Sequence, residues 1–244
     1  MDGDGRISSE AMKAPGLRGE TARLRVNGAD LLADLSGALV WPDKRTLVVA
    51  DLHLEKGSSL GRHKRPLPPY DSAATLGRLE TVIARYEPET VICLGDSFHD
   101  GDGATRLSDG DRGRLRALTN AREWVWIAGN HDPAPSPKIG GQVAEELVIG
   151  GLLFRHVAAD GRAPAGEISG HYHPKAAVWA RGRRMSHRCF AGDGRRLVLP
   201  AFGAYTGGLS VLDPAIRALF PRRCEVHLLG RQRIVSADRS ALVA

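Results

Sequence analysis

Cysteine is scarce in this chain: Cys93, Cys189 and Cys224 are the only three in 244 residues, odd in number and without C-x-x-C spacing. That excludes a disulfide framework and a thiolate zinc site, and it predicts reduced thiols in a cytoplasmic protein. Long apolar runs are missing as well. The longest, such as TLVVA at 46–50 and VWIAG at 125–129, are short and flanked by charge. No segment is therefore expected to span a membrane, and the N-terminus lacks the apolar core of a secretory signal. Nor does the chain contain an H-E-x-x-H helix or a Gly-rich Walker loop, which removes the zinc-peptidase and P-loop readings.

A chain of 244 residues can bury a sizeable core, and no shift in composition divides it. The expectation is a polar, Gly-rich, disordered leader over residues 1–20, with Met12 as an alternative start, followed by a single domain over 21–244. The formal charge of +6 comes mostly from arginine, whose planar fork suits phosphate and favours a polyanionic partner. Strands are predicted at Arg23–Val26, Gly37–Trp41, Thr46–Ala50, Thr90–Leu94 and Trp124–Ala128. Helices are predicted from an Asp71 N-cap to about Tyr86 and from Asp109 to about Ala121. Short strands then follow at Val143–Ile149, Leu152–Arg155, Glu167–Ser169, Ala176–Ala180, His187–Ala191 and Arg196–Leu199. A β-α-β first half and a β-rich second half predict an α/β sandwich with mixed sheets.

The chemistry sits at strand ends. VVADLHLEKG, residues 48–57, is an apolar strand that stops at Asp-x-His, and an extended segment points residues i and i+2 the same way. The pattern recurs: VICLGD ends at Asp96, WVWIAGNHD at Asn130, His131 and Asp132, LLFRH at His156, and EISGHYH at His171 and His173. Five strands thus deliver Asp, Asn or His at their exits, where α/β sheets place their active sites. Glycines precede Asp96 and Asn130 and allow tight turns there.

This ordered set resembles the calcineurin-like metallophosphoesterases. The blocks ADLHLEKGSSL, LPPYDS, CLGDSFHDG, WIAGNHDP, GHYHPKA, RCFAGDG and PAFGAYTGGL are similar to the bacterial ligase-associated DNA damage response endonucleases. The resemblance implies a four-layer αββα sandwich with two mixed β-sheets and a two-metal site at the sheet edge. By that resemblance Asp51, His53 and His173 hold one ion, Asn130, His156 and His171 hold the other, and Asp96 bridges them. It also implies a phosphodiesterase in which hydroxide shared by the ions attacks phosphorus, a DNA substrate, and a repair helicase and DNA ligase as partners. Two divalent ions in an all-N/O ligand set fit manganese, iron or zinc, and the resemblance implies manganese first.

His131 is the expected catalytic imidazole, placed to protonate the leaving oxygen; capping its own loop is the alternative. Relatives often carry a second Asp three residues after the first, orienting that imidazole, and here His99 stands in its place. Asp100 or Asp132 is then the candidate orienting carboxylate, unless none is needed. Substrate contacts are sought at Arg62, Lys64 and His99, and at Arg183 and Arg184 within the tract Arg181, Arg183, Arg184, Arg188, Arg195 and Arg196. That tract is either a phosphate-tracking face or a solvated charged hairpin. The glycines of PAFGAYTGGL are read as close backbone packing. Two other functions are consistent with parts of the sequence: cleavage of a nucleotide or other small phosphodiester, and a non-catalytic scaffold of the same fold.

Overall fold

The structure, a computed structural model, describes residues 19–62, 70–133, 139–161, 164–180 and 182–244. Successive side chains of a strand face opposite ways, and here both faces are apolar. In β4 (Thr46–Val49) Leu47 and Val49 oppose Val48, in β5 (Thr90–Leu94) Val91 and Cys93 oppose Ile92 and Leu94, and in β6 (Glu123–Ile127) Trp124 and Trp126 oppose Val125 and Ile127. Such a sheet must be covered on both sides. One face packs against the long helices α2 (Asp71–Tyr86) and α4 (Asp109–Asn120) through Leu76, Leu79, Ile83 and Leu115. The other shares a core with a second sheet, through Phe154 of β9 (Leu152–Arg155), Ile168 of β10 (Glu167–Ser169), Phe190 of β12 (Arg183–Gly192) and Leu197 of β13 (Arg196–Val198). Beyond that sheet lie Ile216 and Leu219 of the short helix α5 (Pro214–Leu219). The result is the four-layer αββα sandwich expected, with a thin fourth layer.

In the first sheet β1 (Thr21–Val26), β2 (Ala29–Asp34), β3 (Leu39–Trp41) and β4 run antiparallel, then β4, β5, β6 and β7 (Gln142–Ala144) run parallel. The second sheet has the order β15 (Ile234–Asp238), β14 (Glu225–Leu229), β12, β13, β10, β9 and β8 (Glu146–Ile149), and β11 (Lys175–Ala180) joins it through β12. Its β9, β10 and β13 are parallel. Four parallel strands of the first sheet and three of the second therefore exit together, and a parallel bridge between Ala50 and Ala201 ties the two sets of exits.

Several local expectations need correction. The predicted strand Val143–Ile149 is two strands, β7 and β8, which belong to different sheets; the chain changes sheet at Glu145, a bend that alternation alone does not announce. Asp71 is the first residue of α2, not its cap, and its carboxylate accepts from Gly57 N at 3.0 Å. The expected loop at 57–69 opens with a helix, α1 (Lys56–Arg62). Residues 1–18 of the proposed leader, Met12 included, lie outside the described residues. Gly19 and Glu20, assigned to that leader, are held: Ile234 N and Leu35 N donate to their carbonyls, and Glu20 pairs with Arg85 at 3.0 Å.

The basic tract does not share one face. Arg196 is fully buried and pairs with the equally buried Glu167, donating also to the carbonyls of Ala159 and Leu219. Glu167 in turn accepts from Ala159 N at 2.7 Å and meets Arg155 at 3.4 Å. Arg188 is half-buried against the Ala201 carbonyl. Removing one partner of a buried pair leaves an uncompensated charge, so Glu167→Ala should cost about 3–5 kcal/mol, whereas the double variant Glu167→Leu/Arg196→Met should recover most of it. Urea unfolding of the three proteins checks this.

Candidate metal centre

All seven residues expected to bind metal occupy exits of parallel strands: Asp51 and His53 after β4, Asp96 after β5, Asn130 after β6, His156 after β9, and His171 and His173 after β10. Their backbone is unusual. Asp51 (φ 53°), His53 (43°), Asp96 (46°), His171 (70°) and His173 (46°) are all left-handed, which costs an L-residue roughly 1–2 kcal/mol each. Strain of this kind persists where the surroundings over-determine it, and it clusters at functional sites. The two glycines singled out in the sequence serve close approach. A Cβ on Gly129 would lie 2.2 Å from Asp96 N, and one on Gly95 would lie 2.4 Å from His156 Nδ1.

Two groups of donors result, each with its ligand atoms within 4.8 Å of one another: Asp51, His53 and His173, and Asp96, His156 and His171. In the first, His53 Nε2 and His173 Nε2 face each other at 3.3 Å, and Asp51 Oδ1 is 3.3 Å from His173 Nε2. In the second, His156 Nε2 lies 2.8 Å from Asn130 Oδ1, 3.3 Å from His171 Nδ1 and 3.4 Å from Asp96 Oδ1. The other Asp96 oxygen, Oδ2, is 3.9 Å from His53 Nε2, so one carboxylate looks into both groups. His156 Nδ1 donates to the Leu94 carbonyl at 2.9 Å, which leaves its Nε2 lone pair aimed inward, the arrangement expected of a metal-binding imidazole.

Electrostatics agree with a cation site. Burial, then the neighbouring His173, lowers the His53 pKa to about 3, and burial likewise lowers that of His171; both rings stay neutral and keep their lone pairs. Against the pull of burial, contact with His156 and a hydrogen bond from His131 N hold Asp96 well below the usual carboxylate range. Opposed ring nitrogens at hydrogen-bond distance, an ionised carboxylate between them, and no thiolate form a set suited to divalent ions that accept nitrogen and oxygen. The three cysteines are buried and unpaired.

His131 is half-exposed beside this centre, with Nε2 3.9 Å from Asp96 Oδ2. Its Nδ1 lies 2.8 Å from the carbonyl oxygen of His99, and the two rings stack at 5.2 Å. Neither proposed carboxylate bonds it among the described residues. Asp100 is held by both guanidinium nitrogens of Arg106 at 2.7 Å. Asp132 accepts from Phe98 N at 2.9 Å, and burial raises its pKa to about 7. A backbone carbonyl thus takes the place of the expected side chain, which no sequence pattern would signal. His53, His99 and His131 form a third close group that the sequence reading did not anticipate.

The proposed substrate contacts fare unevenly. Arg62 is exposed at the end of α1, and Lys64 lies outside the described residues. Arg183 pairs with Ala180 at the far end of the β11–β12 ladder, five positions and about 17 Å along the strand from Lys175. Arg184, beside it, donates to the Ala244 carbonyl at 2.7 Å. A buried tie beneath the first motif also escaped notice: Glu55 accepts from Ser58 at 2.6 Å and Ser72 at 2.8 Å, joining α1 to α2. Residues 57–61, GSSLG, spell the G-x-S-x-G letters of a serine-hydrolase elbow, but they lie inside α1, not on a strand-to-helix turn.

The sequence profile of the calcineurin-like phosphoesterases matches residues 44–196, more than half of the chain, and the chain belongs to that family. It is a metal-dependent phosphoesterase. Among solved structures, it is similar to the nuclease MPE of Pseudomonas putida, with a TM-score of 0.67, 27% identity, and coverage of 88% of this chain and 100% of that one. Yfce, a phosphoesterase from E. coli, is a more distant likeness at TM-score 0.41 and 15% identity, covering 80% of this chain and 98% of the other. No curated protein matches the sequence.

Two measurements follow from this geometry. A divalent cation at about 100 times its Kd should stabilise the protein by about 2.7 kcal/mol. His171→Asn, which keeps a residue tolerant of left-handed φ, should shrink that gain while costing the metal-free protein less than about 1 kcal/mol; denaturant titrations with and without metal test it. Separately, Arg106 first of all lowers the Asp100 pKa to about 2. The unfolded value is about 3.9, so the contribution is complete above that pH and is lost as pH falls from about 4 to about 2. Arg106→Ala should flatten the acid limb of the stability profile in that window.

Proposed function

We propose that this chain is a manganese-dependent phosphodiesterase that cuts DNA, an endonuclease of the bacterial DNA damage response. The observation that carries the reading is the seven-donor centre with His131 open beside it. The likeness to a Pseudomonas putida nuclease over the whole of that chain supports a nucleic-acid substrate, and the motif blocks support DNA and the damage-response role. Two divalent ions, when bound, supply Lewis acidity at the phosphoryl oxygens and a water acidic enough to act as nucleophile at neutral pH.

The chain's own residues do the rest. Asp51 and Asp96 bring negative charge, and the neutral imidazoles bring lone pairs. His131 Nδ1–H donates to the His99 carbonyl, which leaves Nε2 facing the centre. To act as the acid the ring takes a second proton on Nε2, as imidazolium, gives it to the departing oxygen, and returns to the neutral Nδ1–H form. Its exposed edge leaves Nε2 within reach of a bound phosphodiester. A repair helicase and a DNA ligase as partners rest on the subfamily resemblance alone. A cytoplasmic location is supported by the unpaired cysteines.

Purified protein with manganese should hydrolyse an aryl phosphodiester and nick single-stranded circular DNA. His131→Ala should lower kcat by about 10²- to 10⁴-fold while retaining metal, and Asp96→Ala should lose metal and activity together. Full activity in either variant would falsify the assignment. Hydrolysis of small phosphodiesters without any DNA cleavage would instead favour the nucleotide reading.

A further inference from the structure

Seven parallel strands exit at this edge, and five of them carry the proposed ligands. Of the other two, β7 leads straight into β8, and β13 sends its exit loop along the backbone of the ligand-bearing loops. Phe202 N donates to the Ala50 carbonyl at 2.8 Å, and Gly203 N to the Asp51 carbonyl at 3.1 Å. At the other end, Gly208 packs so closely that a Cβ there would come within 2.2 Å of the His173 carbonyl oxygen. The segment is thus pinned at both ends to backbone of the Asp51–His53–His173 group. Tyr205 lies between the anchors, two residues from one and three from the other, so no more than about 11 Å of chain separates it from either.

Its backbone is left-handed, with φ 56°, a conformation that glycine or asparagine adopts more readily than tyrosine. Ala204 N on Thr75 Oγ1 at 3.0 Å and Thr206 Oγ1 on the Gly203 carbonyl at 3.0 Å hold the turn. Core packing does not explain the choice of residue, because Tyr205 is 50% exposed. Polar satisfaction does not explain it either: its hydroxyl has no hydrogen bond among the described residues. A second exposed tyrosine, Tyr70, precedes α2 five residues before Thr75. What remains is an exposed aromatic side chain on a turn tied to the backbone of the proposed metal ligands.

We propose that Tyr205 is a stacking platform for the nucleobase next to the scissile phosphate of an unpaired strand. Every base has a π-face, so such a platform selects single-stranded nucleic acid without reading sequence. A paired base, already stacked within a duplex, would have to be extruded to use it. The assignment rests on the nuclease reading above.

The test compares KM of the manganese-loaded enzyme for a single-stranded oligonucleotide and for the same strand with abasic sites flanking the cleaved bond. The wild type should show a KM about 5- to 100-fold higher on the abasic strand. Tyr205→Phe should preserve that ratio. Tyr205→Gly should bring it near one, although it relieves the backbone and should melt no lower than wild type; Tyr205→Asn serves if glycine loosens the loop. A ratio unchanged in Tyr205→Gly, or intact and abasic strands cleaved alike by the wild type, overturns the stacking role and leaves the nuclease standing. No DNA cleavage by the wild type overturns both.

Discussion

The structure depends on bringing seven candidate metal-binding groups into one small space. Burial keeps His53 and His171 neutral, and contact with His156 keeps Asp96 ionised despite the same burial. Those effects oppose one another for carboxylate and imidazole, and only close mutual placement satisfies both. The left-handed backbone at five of the seven positions is the steric cost of that placement. The two-sided apolar sheets, the outer helices and the glycines at 95 and 129 form the frame that sustains it.

Much of this was legible in the sequence because strand exits have a simple grammar. An apolar run that stops at Asp-x-His or Gly-Asp needs no tertiary information to be read, and Asp, Asn or His at five such exits named the residues that the fold brings together. The order of elements indicated an α/β sandwich with mixed sheets, and the family resemblance supplied its four layers. What stayed hidden depended on long-range partners. Arg196 reads as part of an exposed basic tract, yet Glu167, 29 residues earlier, makes it a core residue. His131 finds its acceptor in the backbone of His99, which has no side-chain signature. The split of one predicted strand at Glu145 depended on two sheets competing for adjacent residues.

Charge in this protein is consequently divided by role more than by region. Asp100 and Arg106 fasten the loop that carries His99, Glu167 and Arg196 stitch the second sheet, and Arg183 and Arg184 remain on an outlying hairpin. Near the centre, the exposed groups include the His131 ring and the Asn130 amide, so affinity there would come from planar contact and directed hydrogen bonds. Arginine fields farther out would contribute long-range attraction that fades with salt.

The change of sheet at Glu145 has a consequence for assembly. Each donor group draws members from both sheets: Asp51 and His53 with His173, and Asp96 and Asn130 with His156 and His171. A chain whose first sheet has formed alone lacks one of three donors in the first set and two of four in the second, so tight cation capture must wait until the two sheets have docked. Metal uptake is in this sense a certificate of completed folding, and partly folded chains are spared an ion bound in the wrong company.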